Sequence, residues 1–144
     1  MRVSQILKSK PSSGVATIMP DATVTTAANQ LSNKKIGSLV VSSDGKRAVG
    51  ILSERDIVRE IGKRGPGCLD DKVADMMTAD PVVCSCDDTA DQVLSRMTEG
   101  RFRHMPVVKD GDMVGLITIG DVVKSRLSEL AMEKDALEGM IMGH

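Results

Sequence analysis

Two short stretches pair a hydroxyl with a carboxylate three residues on: Ser53 with Asp56 in GILSERDIVREI, and Thr118 with Asp121 in GLITIGDVVKSR. Two chemistries are open to each pair. A hydroxyl followed three residues later by an acid has the form of a capping box, in which side chain and backbone satisfy each other at a helix start. The same placement suits a nucleotide. Free N–H groups and the helix dipole favour a phosphate, and an aspartate can accept hydrogen bonds from both hydroxyls of a ribose. A single copy would be explained by the cap alone. Two copies, each following a strand and opening a helix, shift the balance toward a binding site.

Other chemistry finds little support. No nucleophile–base pair or zinc signature is present, so no catalytic residue and no metal site are assigned. Cys68, Cys84 and Cys86 cannot all pair within one chain, and only His104 and His144 supply imidazoles. Cys84 and Cys86 fall on one face of a strand, and the thiols read as buried apolar groups in a reducing compartment. The segment KRGPGCLDD lacks the spacing of a phosphate-binding P-loop and reads as a flexible linker.

Composition narrows the partners. Phe102 is the only aromatic residue among 144, and the formal net charge is −1. Stacking platforms and a basic field are therefore both missing, which argues against nucleic acid. No apolar run approaches the roughly 20 residues of a membrane span, and the first residues lack a secretory core. A cytoplasmic protein without membrane insertion is the expectation.

The elements that must position the two motifs are themselves repeated. VSQIL resembles VADMM, and DATVTTAANQLSNKKIGSLVVSSDGKRAVG lines up with DDTADQVLSRMTEGRFRHMPVVKDGDMVG. Each copy has helical spacing (Ala27, Ala28, Leu31; Val93, Leu94, Met97) and then a valine-rich run. An Asp-Gly hairpin signal (Asp44-Gly45; Asp110-Gly111) and a returning strand precede the motif helix. The lead-in segments, VSQIL and VADMM, are each followed by a short loop and a proline. The unit predicted is strand, helix, strand, strand, helix in an α+β fold, and three short strands need a second copy to cover them. The boundaries are residues 1–62 for the first repeat with its lead-in helix, 63–71 for the linker and 72–127 for the second repeat with its lead-in. Residues 128–144 form a C-terminal amphipathic helix. Leu127, Leu130, Leu137 and Ile141 form its stripe, which lies either on its own domain or on a second subunit.

With G-x-x-S/T-x-x-D twice and RHMPVV before the second copy, the chain resembles a tandem CBS-domain pair, or Bateman module. The likeness is to the stand-alone bacterial type and to the regulatory insert of inosine-monophosphate dehydrogenase, and it spans about residues 3–127. The resemblance implies a regulatory module that binds adenosine ligands in two clefts between pseudo-symmetric repeats and forms a homodimer acting on a downstream protein. AMP or NAD(H) are the expected ligands, with ATP, ADP or S-adenosylmethionine also compatible. The other reading is an interaction scaffold without a nucleotide.

The resemblance also implies roles. Asp56 and Asp121 take ribose hydroxyls, and Ser53 and Thr118 contact phosphate or ribose. The base lies on backbone groups of the strand entering each repeat, at Thr17, Ile18 and Met19 and at Val83, Cys84 and Ser85. Arg103 and His104 face phosphates, where the first copy has only Gly37 and Ser38. Arg55 supplies the charge inside the first motif, where the second has Ile119 and Gly120. Packed about a pseudo-twofold, Arg55, Arg103 and His104 are expected to converge. Ser38, Met105, Pro106 and Ile119 complete the nucleotide-binding set.

Overall fold

A computed structural model gives the structure of residues 1–10 and 14–141. In chain order the elements are α1 (Val3–Ser9), β1 (Thr17–Ile18), α2 (Val24–Lys34), β2 (Ser38–Val41), β3 (Gly50–Ser53) and α3 (Glu54–Arg64). A 3-10 helix (Pro66–Asp70), α4 (Val73–Met76), β4 (Thr78–Ala79), α5 (Ala90–Gly100), β5 (His104–Lys109), β6 (Asp112–Thr118) and α6 (Ile119–Ile141) follow. The fold is α+β and repeats itself, as the sequence predicts. Pro11, expected after the first lead-in, and residues 142–144 of the expected C-terminal helix lie outside the described residues.

The first sheet has the order β1-β2-β3-β4, with β1 parallel to β2 and the other pairs antiparallel. In the second, β5 and β6 are antiparallel, and the expected entering strand shrinks to one parallel bridge between Cys84 and Val107. Pro81, which has no N–H to give, precedes it. Just beyond it the chain turns, with the Ser85 N–H bonded to the Asp88 carboxylate at 2.9 Å.

The two Asp-Gly signals have different outcomes. Asp110 (φ 54) and Gly111 (φ 84) form a two-residue turn between β5 and β6, both in the left-handed region that this turn requires. Of the first repeat's Asp44-Gly45 pair only Gly45 has positive φ, and residues 42–49 form a longer connection. There the Asp44 carboxylate accepts from the N–H groups of Arg47 at 2.9 Å and Lys46 at 2.8 Å. These bonds lower its pKa to about 2.

The lead-in helices are exchanged. Val3 and Ile6 of α1 are buried with Val93, Met97, Met105 and Ile117 of the second repeat. Val73 and Met76 of α4 are buried with Val24, Leu39 and Leu52 of the first. The backbone contacts repeat this relation: Arg2 bridges Thr89 and Lys72 bridges Thr23. Each core is thus completed by the lead-in helix that the sequence places with the other repeat. The glycine heading each motif follows from the exchange. A Cβ on Gly50 would collide with Met77, which follows α4, and one on Gly115 would lie 2.8 Å from a Leu7 methyl. Gly50 and Gly115 therefore admit the exchanged lead-ins.

The segment 63–71, expected to be a flexible linker, is structured. α3 runs through Lys63 to Arg64, and the 3-10 helix follows after Gly65. Cys68 is buried in the first core, and Arg64 pairs with Asp71 at 2.7 Å and Glu60 at 3.0 Å. Burial of Cys68 gives this segment the packing that its glycine and proline content conceals.

α6 continues directly from the second motif for 23 residues, so the expected C-terminal helix is its extension. Its predicted stripe is uncovered: Leu127, Leu130, Leu137 and Ile141 are 61%, 46%, 59% and 84% exposed. The stripe does not lie on its own domain. No helix is long and apolar enough to cross a membrane among the described residues.

Candidate functional site

Each motif forms a helix start with a satisfied cap. At α3 the Ser53 hydroxyl accepts from the Asp56 N–H at 3.3 Å, and Asp56 Oδ2 accepts from the Ser53 N–H at 2.9 Å and its hydroxyl at 3.0 Å. At α6 the Thr118 hydroxyl accepts from the Asp121 N–H at 3.1 Å, and Asp121 Oδ2 accepts from the Thr118 N–H at 3.0 Å. Each acid also carries a cation. Arg59 donates to Asp56 Oδ1 at 2.9 Å, and Lys10 Nζ lies 2.9 Å from Asp121 Oδ2.

A cleft lies beside each motif. The first, of about 1030 Å³, is walled by Gly14–Ala16 and Ile36–Ser38 of repeat one and by Leu116 and Thr118 of repeat two. Lys8, Lys10 and Lys34 line it. The second, of about 470 Å³, combines Ser53 and Asp56 of repeat one with Asp80–Val82 and Gly100–His104 of repeat two. Its cations are Arg55, Arg59, Arg101 and Arg103. Both volumes are in the range of small-molecule sites.

Equivalent backbone features shape the two walls. Lys35 (φ 54) ends α2 and Arg101 (φ 57) ends α5, each a non-glycine residue in the left-handed region. Such a residue costs about 1–2 kcal/mol, here at the turn feeding each cleft. The Gly37 carbonyl accepts from the Glu54 N–H at 2.9 Å, and the Arg103 carbonyl from the Ile119 N–H at 2.9 Å. Each motif helix is thereby fastened to the wall across from its own strand.

The sequence expectations sort unevenly over this geometry. Arg55, Arg103 and His104 meet in the second cleft with Ser53 and Asp56. Ser38, Thr118 and His104 line the first, with Asp121 joined to it through Lys10. Thr17, Ile18, Met19, Val83, Cys84, Met105, Pro106 and Ile119 line neither cavity. Ile18, Cys84 and Met105 point into the cores, Pro106 is buried, and Met19 and Val83 are exposed to the outside. The Cys84 N–H and carbonyl are consumed by Pro106 and Val108 at 3.0 and 2.8 Å. The walls at these places are formed one to three residues earlier.

Several lining residues carried no signal in the sequence. Lys8 and Lys10 belong to a lead-in that reaches its cleft only through the exchange. Arg101, in the left-handed cap of α5, and Phe102 beside it bring the lone aromatic to the wall of the second cleft.

Electrostatics divide the functional groups from the core groups. Burial pushes the His104 imidazole below its ordinary value, opposed by the negative charge of Glu54. Burial, followed by the nearby charge of Asp88, pushes the Cys84 thiol up to about 12, leaving it a thiol at neutral pH. Among the described residues no cluster of histidine, cysteine and acid side chains is arranged to hold a metal ion.

Comparison with known proteins agrees with this architecture. The family model for the CBS domain matches residues 3–63 and 73–128. The chain is 32% identical over 148 residues to the mitochondrial CBS domain-containing protein CBSX3 of Arabidopsis thaliana, covering 98% of this chain and 72% of that protein. A CBS-domain containing protein of Agrobacterium tumefaciens superimposes with a TM-score of 0.83 at 40% identity, covering 88% of this chain and 99% of that one. A CBS domain protein of Pyrobaculum aerophilum, solved in complex with AMP, superimposes at 0.76 with 28% identity, over 92% and 99% of the two chains. With two matched repeats spanning most of its length, the chain belongs to the CBS domain family and is a tandem CBS pair.

Proposed function

We propose that this CBS pair is a regulatory module that binds an adenosine nucleotide in the clefts between its repeats and performs no chemistry of its own. One observation carries the reading. Each cleft joins the hydroxyl–aspartate helix start of one repeat to the wall and cations of the other. Asp56 and Asp121 serve the ribose, and Arg55, Arg103 and His104 serve phosphate in the second cleft. The AMP complex of the Pyrobaculum relative supports this ligand class. AMP is the first choice and NAD(H) the second, with ADP, ATP and S-adenosylmethionine also compatible.

The module acts as a cytoplasmic homodimer on a downstream protein. The uncovered Leu127 and Leu130 of α6 and Val58 of α3, 68% exposed, support a second copy as the dimer partner. Occupancy shifts the relative orientation of the repeats, provided the ligand binds the two states with different affinity.

The scaffold reading rests on a different observation. Both aspartates already have partners, in a capping box and an ion pair. Calorimetric titration with AMP, ATP, NADH and S-adenosylmethionine, repeated on Asp56→Ala and Asp121→Ala, separates the two. Saturable binding lost one cleft at a time is expected. Binding by none of the four would leave the motifs as helix caps and favour the scaffold.

A further inference from the structure

His104 is, among the described residues, the only side chain that lines both clefts. Its place in the fold explains this. It opens β5 directly opposite Thr118, the hydroxyl of the second motif, as Ser38 opens β2 opposite Ser53. At these equivalent positions one repeat has a small buried serine and the other a half-buried imidazole. The larger side chain reaches the opposite repeat. A Cβ built on Gly37 would lie 3.5 Å from His104 Nε2 and 3.6 Å from a Glu54 carboxylate oxygen. The imidazole therefore stands between the second motif, in its own sheet, and the start of the first motif helix across the pseudo-twofold.

We propose that His104 is a phosphate contact common to both clefts, which takes up a proton when an anionic ligand enters either one and so links their occupancy. The inference rests on the nucleotide-binding reading above. Four charged groups act on the ring. Glu54 and Asp56 of α3 favour the cation, while Arg103 beside it and Lys10 beyond the end of α1 oppose it. A phosphate in either cleft adds negative charge to the first set.

Linkage fixes the sign. Burial keeps the free-protein pKa below the ordinary imidazole value near 6.5, and the bound phosphate raises it. Affinity for the anion then rises as pH falls from the bound pKa toward the free one, and levels off once the free imidazole is already protonated. Within that window a first ligand leaves the proton in place for a second, so coupling through His104 is positive and reciprocal. Every unit by which the pKa rises corresponds to about tenfold tighter binding by the protonated form.

The chain has only two histidines, so histidine-labelled protein gives two imidazole signals, and His104→Gln assigns them. The His104 titration is followed by NMR with and without saturating AMP, saturation being established separately by calorimetry. The wild type and the single-cleft variants Asp56→Asn and Asp121→Asn are compared. The midpoint is expected to rise with AMP in all three, and His104→Gln to remove the pH dependence of affinity that exceeds titration of AMP itself. A midpoint unmoved by bound AMP overturns the proposal while leaving nucleotide binding intact. A rise in only one of the two variants overturns the shared role. Absence of AMP binding in the calorimeter overturns this inference together with AMP as the ligand. If either variant fails to fold, the wild type and His104→Gln are compared in the calorimeter: occupancy of the two clefts is expected to be positively coupled in the wild type and independent in His104→Gln, and coupling that survives the substitution overturns the proposal.

Discussion

Lys10 Nζ lies 2.9 Å from Asp121 Oδ2 and donates to the Leu116 carbonyl at 2.8 Å. The acid of the second motif is thus held by a lysine from the far end of the chain. In the first motif the equivalent acid, Asp56, is held by Arg59, one turn along the same helix. The pseudo-symmetric clefts therefore guard their aspartates differently, one through tertiary structure and one locally. A ribose approaching Asp121 must displace a residue of the exchanged lead-in.

That relationship predicts a measurable coupling. Both side chains are about one-quarter exposed, so the pair falls near the upper end of surface ion pairs, about 0.5–1 kcal/mol. A double-mutant cycle with Lys10→Met and Asp121→Asn, read by urea unfolding, should give an interaction energy of this size. It should shrink in 1 M salt, where charges are screened beyond about 3 Å. An energy of zero at low salt would mean that Lys10 is anchored by the Leu116 carbonyl alone.

The exchange of lead-ins predicts where a core defect is felt. Ile6 is 2% exposed and packs in the second core, while Met76 is 8% exposed and packs in the first. Truncating a buried Ile or Met to alanine costs about 2–5 kcal/mol. In hydrogen exchange, Ile6→Ala should loosen α5, β5 and β6, and Met76→Ala should loosen α2, β2 and β3. Loosening of the adjacent repeat in each case would mean that the helices do not cross over.

The same exchange marks the limit of what can be read from a linear chain. The Ser53–Asp56 and Thr118–Asp121 helix starts, the valine strands and the twofold repetition are local patterns, and the amino acids show them directly. Convergence of Arg55, Arg103 and His104 on one cleft needs only the added assumption of a pseudo-twofold, and the structure brings them together. Lys8 and Lys10 depend on which core α1 chooses, and VSQIL has the same apolar spacing whichever core that is. The base-side expectation at Thr17–Met19 and Val83–Ser85 lies one to three residues beyond the cavity walls at Gly14–Ala16 and Asp80–Val82. Strand alternation turns Ile18 and Cys84 inward, and the cavity begins where the strand does not. The 3-10 helix at Pro66–Asp70 is hidden by composition, since its anchor is a single buried side chain, Cys68.

Acid should weaken the turn that leads into α5. The Asp88 carboxylate accepts from the Ser85 N–H at 2.9 Å and from Arg96 at 2.9 Å. The Ser85 bond is the larger cause of its lowered pKa, followed in the same direction by Arg96. A carboxylate with a depressed folded pKa contributes stability above its unfolded value, near 3.8. That contribution disappears as pH falls through the folded value. Asp88→Asn should therefore be less stable than wild type at pH 6, and the two should converge as pH falls well below 3.8. Parallel urea midpoints down to pH 2 would remove Asp88 from the account of acid unfolding.

The three cysteines should react in an order set by burial. Cys68 is 2% and Cys84 5% exposed, while Cys86 is half-buried. The thiolate is the nucleophile, and Cys84, raised to about 12, holds almost none at pH 8. Its sulfur also lies 3.7 Å from the Pro106 carbonyl, against which the thiol hydrogen is directed. Iodoacetamide at pH 8 should alkylate Cys86 first in the native protein. Cys68 and Cys84 should follow only as their cores open, and their rates should rise with urea toward that of Cys86. Peptide mass spectrometry resolves the sites. Native-state labelling of Cys84 as fast as Cys86 would mean that the strand entering the second repeat is open, which the paired Cys84 N–H and carbonyl argue against.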